Sequence, residues 1–101
     1  MKRSGIYRLF CTTSGKSYVG QSKNVIERVG KHFWSLSRGC HTNLHLQRSF
    51  DLHGHDAFLA EVLEYCNEDA LTEREQHWMN HYGADNLYNM CPAAKSSLGI
   101  K

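Results

Sequence analysis

The chain has 101 residues, of which 41% are hydrophobic and 11% aromatic, a composition that suits one compact domain and excludes an extended disordered chain. It contains no apolar run long enough to cross a membrane and no apolar stretch typical of a secretory signal, so we expect a cytoplasmic protein. The net charge is only +2, but residues 1–50 contain nine Lys/Arg and one acid, whereas residues 51–101 contain three Lys/Arg and nine acids. This asymmetry favours a basic surface for a polyanion, with clustered solvated charge as the alternative.

The first twenty residues predict a β-hairpin. Residues 4–12 and 16–20 have the composition of strands and are separated by a short Ser-Gly turn. A two-residue loop pairs Cys11 with Tyr18, and the strand period of two then places Tyr18 on the same sheet face as Tyr7. A change of one residue in the loop would move the tyrosines to opposite faces.

A helix is predicted directly after the hairpin. Asn24 begins a capping box that ends at Glu27, and an apolar stripe follows at helical spacing. Arg28 and His32 lie one turn apart and project together beside that stripe. Gly30 in the helix interior costs about 1 kcal/mol relative to alanine, which weakens the helix without excluding it.

The remaining elements complete a β-β-α-α-β-α order. We expect a second helix capped by Thr42 and ending near His53, a strand over residues 58–65, and a third helix capped by Asn67 and ending at Gly83. This order predicts an α+β fold in which a small sheet is covered by helices.

Glu75 is the clearest anomaly in the third helix. Leu71, Trp78 and Tyr82 form the predicted core stripe, and Glu75 falls within it, whereas the neighbouring acids fit an exposed face. A carboxylate on a core-facing stripe is costly unless it meets a cation, a metal or hydrogen-bond donors. One carboxylate suits Mg²⁺, which keeps most of its water ligands, and an arginine partner is the alternative.

The arginine and histidine of the first helix are also candidates for chemistry. Arg28 can hold a phosphate with its planar guanidinium, and His32 can donate or accept a proton near neutral pH. Each signal is weak alone, because exposed Arg/His pairs are common and tyrosines fill small sheets for packing reasons. Together with Tyr7, Tyr18 and Glu75 they form a set of groups suited to attack on a phosphodiester.

A zinc site is not indicated. The cysteines are widely spaced and form no CxxC pair, so we expect plain buried or half-buried thiols: Cys11, Cys40, Cys66 and Cys91. His77 and His81 have a metal-binding spacing but lie away from the core stripe and lack a third ligand, so we expect them at the surface.

Two tripeptides in the hairpin, Gly5-Ile6-Tyr7 and Tyr18-Val19-Gly20, are separated by ten residues. This pair resembles the motif that names the GIY-YIG nuclease superfamily, with valine in place of isoleucine in the second tripeptide. The resemblance extends over residues 4–90, and residues 39–41 and 46–50 are especially similar to the catalytic domain of phage intron-encoded homing endonucleases. It includes, in chain order, positions of known function in the family: Arg28, His32, Glu75 and Asn89.

The resemblance implies a three-stranded sheet flanked by helices and a metal-dependent endonuclease. It implies that Tyr7 helps to deprotonate an attacking water and that Arg28 stabilises the pentacoordinate phosphate. It also implies that Glu75 holds one Mg²⁺, replaceable by Mn²⁺, which neutralises charge on the leaving 3′ oxygen. A free tyrosine, with a pKa of about 10, is a poor base at pH 7, so Arg28 and the metal must favour its phenolate or a water-mediated route.

Four further residues have supporting roles by the same resemblance. Tyr18 supports the site by hydrogen bonding, His32 joins the proton relay, and His41 and Asn89 assist. Residues 1–92 are then expected to form the nuclease domain and residues 93–101 a C-terminal tail.

Double-stranded DNA is the partner that the resemblance implies, with no membrane and no small-molecule cofactor, in the host cytoplasm if the chain is phage-encoded. We expect binding to be electrostatic and salt-sensitive, with phosphates held by four basic side chains: Lys23, Lys31, Arg38 and Arg48. Homing enzymes of this kind usually carry a separate recognition region, so we expect the chain alone to bind weakly and almost without sequence preference.

Two other functions stay open at this point. The first is a non-catalytic nucleic-acid-binding module with the same fold, which metal-dependent cleavage would exclude. The second is a repair nuclease that recognises DNA structure, which a comparison of nicked, branched and plain duplexes would distinguish from a homing enzyme.

Overall fold

A computed structural model describes residues 3–89 as a three-stranded antiparallel sheet with helices on both faces. The elements are β1 (Gly5–Cys11), β2 (Ser17–Ser22), α1 (Val25–Ser37), α2 (Leu44–His53), β3 (Phe58–Tyr65) and α3 (Leu71–Tyr82). The predicted order and fold class are therefore confirmed. Cys91 and the predicted tail lie outside the described residues, and no helix within them is long and apolar enough to cross a membrane.

Strand β1 occupies the centre of the sheet, in the order β2-β1-β3. Tyr7 pairs with Gly20 and Leu9 pairs with Tyr18, so the predicted pairing of Cys11 with Tyr18 was wrong by two residues. The loop has four residues, 12–15, because the Cys11 N–H donates to the Lys16 carbonyl at 3.0 Å. A shift of two residues preserves the face of every side chain, so Tyr7 and Tyr18 do share a face.

The sheet separates two hydrophobic clusters. On the face that carries Tyr7, the cluster includes residues from β1, α1 and α2: Leu9, Cys11, Val25, Leu36, Leu46 and Phe50. On the opposite face, α3 packs against the strands through Ile6, Val19, Leu71 and Met79. Each helix layer therefore approaches the sheet from its own side, and residues from the two layers can meet only around an edge.

Asparagine side chains cap the first two helices. The Asn24 Oδ1 accepts a hydrogen bond from the Glu27 N–H at 3.3 Å, which confirms the predicted start of α1. The prediction that Thr42 caps α2 was wrong, since the Asn43 Oδ1 accepts from the Leu46 N–H at 3.0 Å. These bonds satisfy N–H groups that have no partner within the helix.

The start of α3 also differs from the prediction. A 3₁₀ turn, Glu68–Ala70, follows Asn67, because the Ala70 N–H donates to the Asn67 carbonyl at 3.0 Å. The α-helical hydrogen bonds begin at Leu71 without a side-chain cap. Trp78 and Tyr82 of the predicted core stripe are only partly buried.

Two glycines that lie on ordinary backbone should respond to alanine in opposite ways. A Cβ at Gly30 meets no atom within 4 Å, whereas a Cβ at Gly20 would overlap the Tyr7 hydroxyl. We expect Gly30→Ala to raise the free energy of unfolding by about 0.5–1 kcal/mol, because it removes the backbone entropy cost of glycine in a helix. We expect Gly20→Ala to lower it by about 1–3 kcal/mol, because the Tyr7 ring must move. Urea denaturation of both variants tests this, and equal stabilities would contradict the packing described here.

Candidate active site

The candidate site lies along the outer edge of β2. The Tyr7 side chain crosses the strand at Gly20, where any β-carbon would collide with the ring and hydroxyl. His32 reaches the Tyr7 hydroxyl from α1, while Glu75 reaches Gln21 of β2 from α3. The edge of β2 is therefore the place where residues from the two helix layers come together.

Three buried side chains form a continuous hydrogen-bonded chain. The Tyr7 Oη lies 2.6 Å from the His32 Nε2, and the His32 Nδ1 lies 2.7 Å from the His41 Nε2. The chain ends where the Asn43 backbone N–H donates to the His41 Nδ1 at 3.0 Å. Tyr7 is 1% exposed, His32 8% and His41 7%, so water competes little for these bonds.

The Tyr18 ring packs against this chain. Its centroid lies 5.2 Å from that of His32 and 6.0 Å from that of His41, in edge-to-face arrangements. The structure therefore brings together Tyr7, Tyr18, His32 and His41, four of the residues that the sequence singled out.

Burial dominates the protonation of these groups. It raises the pKa of Tyr7 well above the ordinary value, with a further rise from Tyr18, while the Arg28 guanidinium opposes both effects. Burial also raises the pKa of Tyr18. For His32, burial together with His41 and Arg28 lowers the pKa to about 4, and burial lowers that of His41. At neutral pH both tyrosines are protonated and both histidines are uncharged.

Glu75 is a buried carboxylate on the core-facing stripe of α3, as predicted, and is 7% exposed. The Gln21 side chain donates to its Oε1 at 2.7 Å, and its charge contributes to the raised pKa of both Tyr7 and Tyr18. A hard oxygen ligand near two tyrosines fits a divalent cation that retains several waters. Within residues 3–89 no three His, Cys, Asp or Glu side chains form a group that could hold a metal ion.

Asn89 holds the edge of β2. Its Nδ2 donates to the Val19 carbonyl at 2.9 Å, and its Oδ1 accepts from the Val19 N–H at 3.0 Å. The Tyr88 N–H extends this contact by donating to the Ser17 carbonyl at 2.7 Å. The Asn89 amide thus pairs with β2 as a neighbouring strand would.

The four predicted phosphate-binding residues do not form one cluster. Lys23 lies 3.9 Å from the Glu68 carboxylate, and both side chains are exposed. The Arg38 guanidinium lies 4.9 Å from the centroid of the Trp34 ring. Lys31 is exposed on α1, so these three cations are spread along and beside that helix.

Arg48 lies on α2 and lines a cavity of about 260 Å³ beside the hairpin loop. The same cavity is lined by Ser14, Lys16, His45, Ser49, Leu52, His53 and Tyr88. Two cations therefore flank one concave surface, and Lys16 was not among the predicted residues.

Two glutamines at the site were also missed by the sequence analysis. Gln47 lies on the buried face of α2, where its Oε1 accepts from the His41 N–H at 3.0 Å and its Nε2 donates to the Leu36 carbonyl at 3.0 Å. A polar residue among buried positions of α2 was an available signal. Gln21 gave no such signal, because its partner Glu75 comes from a distant part of the chain.

The predicted surface histidines of α3 are exposed. His77 and His81 pack beside the Trp78 ring, with ring centroids 5.5 Å from it in each case. Within residues 3–89 the three cysteines are free thiols. Cys11 is buried and Cys66 half-buried, as predicted, but the prediction was wrong for Cys40, which is exposed in the turn after α1.

Comparison with known proteins identifies the family of this fold and site. Residues 3–89 match the family model of the GIY-YIG catalytic domain. The chain belongs to the GIY-YIG endonuclease family. This confirms the resemblance drawn from the two tripeptides.

Relatives of this GIY-YIG chain include two larger proteins. It is 38% identical over 94 residues to Intron-associated endonuclease 1 of Enterobacteria phage T4, covering 90% of this chain and 38% of that protein. It is 32% identical over 106 residues to Probable intron-encoded endonuclease 1 of Neurospora crassa, covering 98% of this chain and 34% of that protein. The chain therefore spans little more than a third of the length of these relatives.

The GIY-YIG fold is also matched by solved structures. The catalytic domain of homing endonuclease I-TevI superimposes with a TM-score of 0.80 at 37% identity, covering 88% of this chain and 99% of that one. A mutant of the same catalytic domain gives a TM-score of 0.81 at 36% identity, covering 93% and 99%. The predicted α+β fold is confirmed by these matches.

The low pKa of His32 predicts acid sensitivity of the folded domain. Its folded-state pKa of about 4 lies below its ordinary value of 6.5, so between these values the unfolded chain binds a proton that the folded chain does not. Stability is therefore full above about pH 6.5 and should fall by on the order of 2–3 kcal/mol as the pH approaches 4. Urea denaturation at several pH values measures this, and His32→Gln should flatten the dependence. His77→Gln, at an exposed position, is the matched control, and equal slopes in both variants would contradict the assignment.

Proposed function

We propose that this chain is the catalytic domain of a homing-type endonuclease and hydrolyses phosphodiester bonds of double-stranded DNA with one bound Mg²⁺. The observation that carries the proposal is the buried Tyr7–His32–His41 chain beside the buried carboxylate of Glu75. Family membership supports the reaction class, and the names of the relatives, an intron-associated and a probable intron-encoded endonuclease, support the homing type. We also propose action in the cytoplasm, of a host cell if the chain is phage-encoded.

Tyr7 is the proposed partner of the attacking water. Its hydroxyl is held at 2.6 Å by His32, which fixes the position of the oxygen that faces the water. A water oriented by a fixed oxygen loses less entropy on reaching the attacking geometry. As Tyr7 ionises, its phenolate can take the proton of that water, which makes the water a stronger nucleophile.

Arg28 is the proposed anchor for the scissile phosphate. It is exposed, and its charge lowers the pKa of Tyr7 against the effect of burial. A guanidinium can donate two parallel hydrogen bonds to phosphate oxygens, and these bonds strengthen as negative charge develops in the transition state. The same charge favours the Tyr7 phenolate, so one residue serves both the substrate and the base.

Glu75 is the proposed ligand of the metal ion. Its carboxylate is buried, and the Gln21 side-chain amide orients it by donating to the Oε1 at 2.7 Å. When bound there, Mg²⁺ would neutralise charge on the leaving 3′ oxygen. Mn²⁺ prefers similar oxygen ligands and should replace it.

Three residues support these groups in the proposal. Tyr18 packs against both histidines and excludes water from their hydrogen bonds. Asn89 ties the β2 edge in place, and His41 orients His32. Their role is to hold the reacting side chains, which raises effective concentration without touching the substrate.

DNA binding is proposed to be electrostatic and largely independent of sequence. Lys23, Lys31 and Arg38 lie on or next to α1, and Arg48 and Lys16 flank the cavity at the hairpin end of β2. Contacts of this kind bind phosphates, set the register of the strand and weaken as salt is added.

The proposal is tested by supercoiled-plasmid cleavage with Mg²⁺. We expect the wild-type chain to nick the plasmid, EDTA to abolish nicking, and Glu75→Gln to reduce the rate at least about 100-fold, because the amide binds metal poorly. Glu73→Gln is the matched control, since Glu73 is an exposed acid on the same helix and should leave the rate unchanged.

Three results would change the proposal. Equal cleavage by wild type and Glu75→Gln would remove Glu75 from the metal site. A chain that shifts DNA mobility but never cleaves it would favour the binding-module alternative. A strong preference for nicked or branched DNA would favour the repair nuclease.

A further inference from the structure

The hydrogen-bonded chain behind Tyr7 has a direction. A backbone N–H is always a donor, and the Asn43 N–H lies 3.0 Å from the His41 Nδ1. That nitrogen must therefore present its lone pair, so an uncharged His41 ring carries its proton on Nε2. The position of the His41 proton is therefore fixed by the Asn43 backbone N–H, which can act only as a donor.

The same constraint passes to the next ring. The His41 Nε2–H must donate to the His32 Nδ1, 2.7 Å away, which leaves that nitrogen without a proton. An uncharged His32 then carries its proton on Nε2, 2.6 Å from the Tyr7 Oη. Both rings are uncharged at neutral pH, because burial lowers the pKa of each.

We propose that the Asn43 backbone amide, acting through His41, fixes the direction of this chain, so that His32 donates to the Tyr7 hydroxyl and cannot accept its proton. His41 is thus a positioning residue for Tyr7. The catalytic consequence rests on the proposed nuclease function, whereas the direction itself does not.

The Asn43 backbone, where the hydrogen-bonded chain of side chains begins, is held by several hydrogen bonds. Asn43 caps α2, with its Oδ1 accepting from the Leu46 N–H at 3.0 Å, and its Nδ2 donates to the Tyr88 carbonyl at 3.1 Å. Gln47 accepts from the His41 N–H at 3.0 Å. These bonds fix the backbone on both sides of the ring, so a rotation of His41 would break its bonds to Asn43 and His32 together.

The opposite direction would create a conflict. A proton on the His41 Nδ1 would face the Asn43 N–H, so two donors would meet and a buried N–H would lose its acceptor. An uncharged His32 cannot carry its proton on Nδ1 as long as His41 donates to that nitrogen. The histidines therefore cannot conduct a proton away from Tyr7 while the chain is intact.

The consequence concerns the proton of Tyr7 itself. Because His32 occupies one side of the oxygen as a donor, the Tyr7 O–H points away from the histidines and into the site. When Tyr7 ionises, its O–H bond breaks and the proton passes to a water in the site, while both histidines keep their protons. The His32 Nε2–H then stabilises the phenolate by a charge-assisted hydrogen bond.

The direction can be measured without DNA or metal. ¹⁵N NMR of the imidazole rings in the wild-type chain at pH 7 should show His32 and His41 each with a protonated Nε2 and an unprotonated Nδ1. The exposed His77 provides an internal reference. A proton on the Nδ1 of either ring would overturn the proposal, whether or not the chain cleaves DNA.

Two variants of His41 test its positioning role. In His41→Phe the donor to the His32 Nδ1 is lost, so the Nδ1–H form of His32 should appear and the rate of DNA cleavage should fall at least tenfold. In His41→Gln the side-chain amide can still donate to the His32 Nδ1, so the Nε2–H form and most of the rate should return. His77→Gln should change neither readout.

Each outcome bears on the proposal. An unchanged Nε2–H form of His32 in folded His41→Phe would overturn the role of His41, since a merely structural role would lower the rate without moving the ring proton. If His41→Phe does not fold, the smaller His41→Ala takes its place, and an unchanged Nε2–H form of His32 in that variant would overturn the role in the same way. Failure of the wild-type chain to cleave DNA would refute the nuclease function and leave the NMR result intact.

Discussion

The passage of the Tyr7 ring across Gly20 is the contact on which the rest of the site depends. Strand pairing sets the two residues opposite each other, and only a glycine allows the ring to cross β2 and reach α1. The hydroxyl then meets His32 at the edge of the sheet, on the side where Glu75 approaches from α3. Two tripeptides that look like a sequence signature are therefore one packing arrangement, with the tyrosine of the first and the glycine of the second in contact.

Burial gives this arrangement its chemical character. Within residues 3–89 every buried side-chain nitrogen and oxygen has a hydrogen-bond partner, so the polar groups of the site are held in place. The same burial keeps Tyr7 protonated and His32 uncharged, and Arg28 is the charge that opposes it at Tyr7. In the resting site, an uncharged tyrosine–histidine chain thus lies between the Arg28 cation and the Glu75 carboxylate. Positive charge near the Tyr7 hydroxyl is needed before Tyr7 can ionise.

Local rules predicted much of the fold and part of the site. The strand period placed both tyrosines on one face even though the loop is longer than expected, because only the parity of the register matters. Helical spacing placed Glu75 on the buried stripe, and the capping box gave the start of α1. These features depend on residues that are only a few positions apart along the chain, so they can be read from the sequence.

Contacts between distant segments were beyond those rules. His41 lies between helices with no periodic pattern, so only the family resemblance named it, and its contact with His32 follows from the packing of α1 beside the start of α2. Asn43 replaced Thr42 as the cap of α2, although either residue type can cap a helix. Gln21 meets Glu75 only because α3 covers the face of β2 that Gln21 occupies.

The single-turnover rate of DNA cleavage by Tyr7→Phe shows whether the Tyr7 hydroxyl takes part in the reaction. The substitution keeps the ring that crosses Gly20 and removes only the oxygen held by His32. We expect this rate to fall at least about 100-fold in a folded variant, as is typical when a general base is lost. Tyr65→Phe, at a position 43% exposed, should cleave as wild type does. A Tyr7→Phe variant that cleaves at the wild-type rate would exclude the Tyr7 hydroxyl from the reaction, since the histidine chain would then end on a group that the reaction does not use.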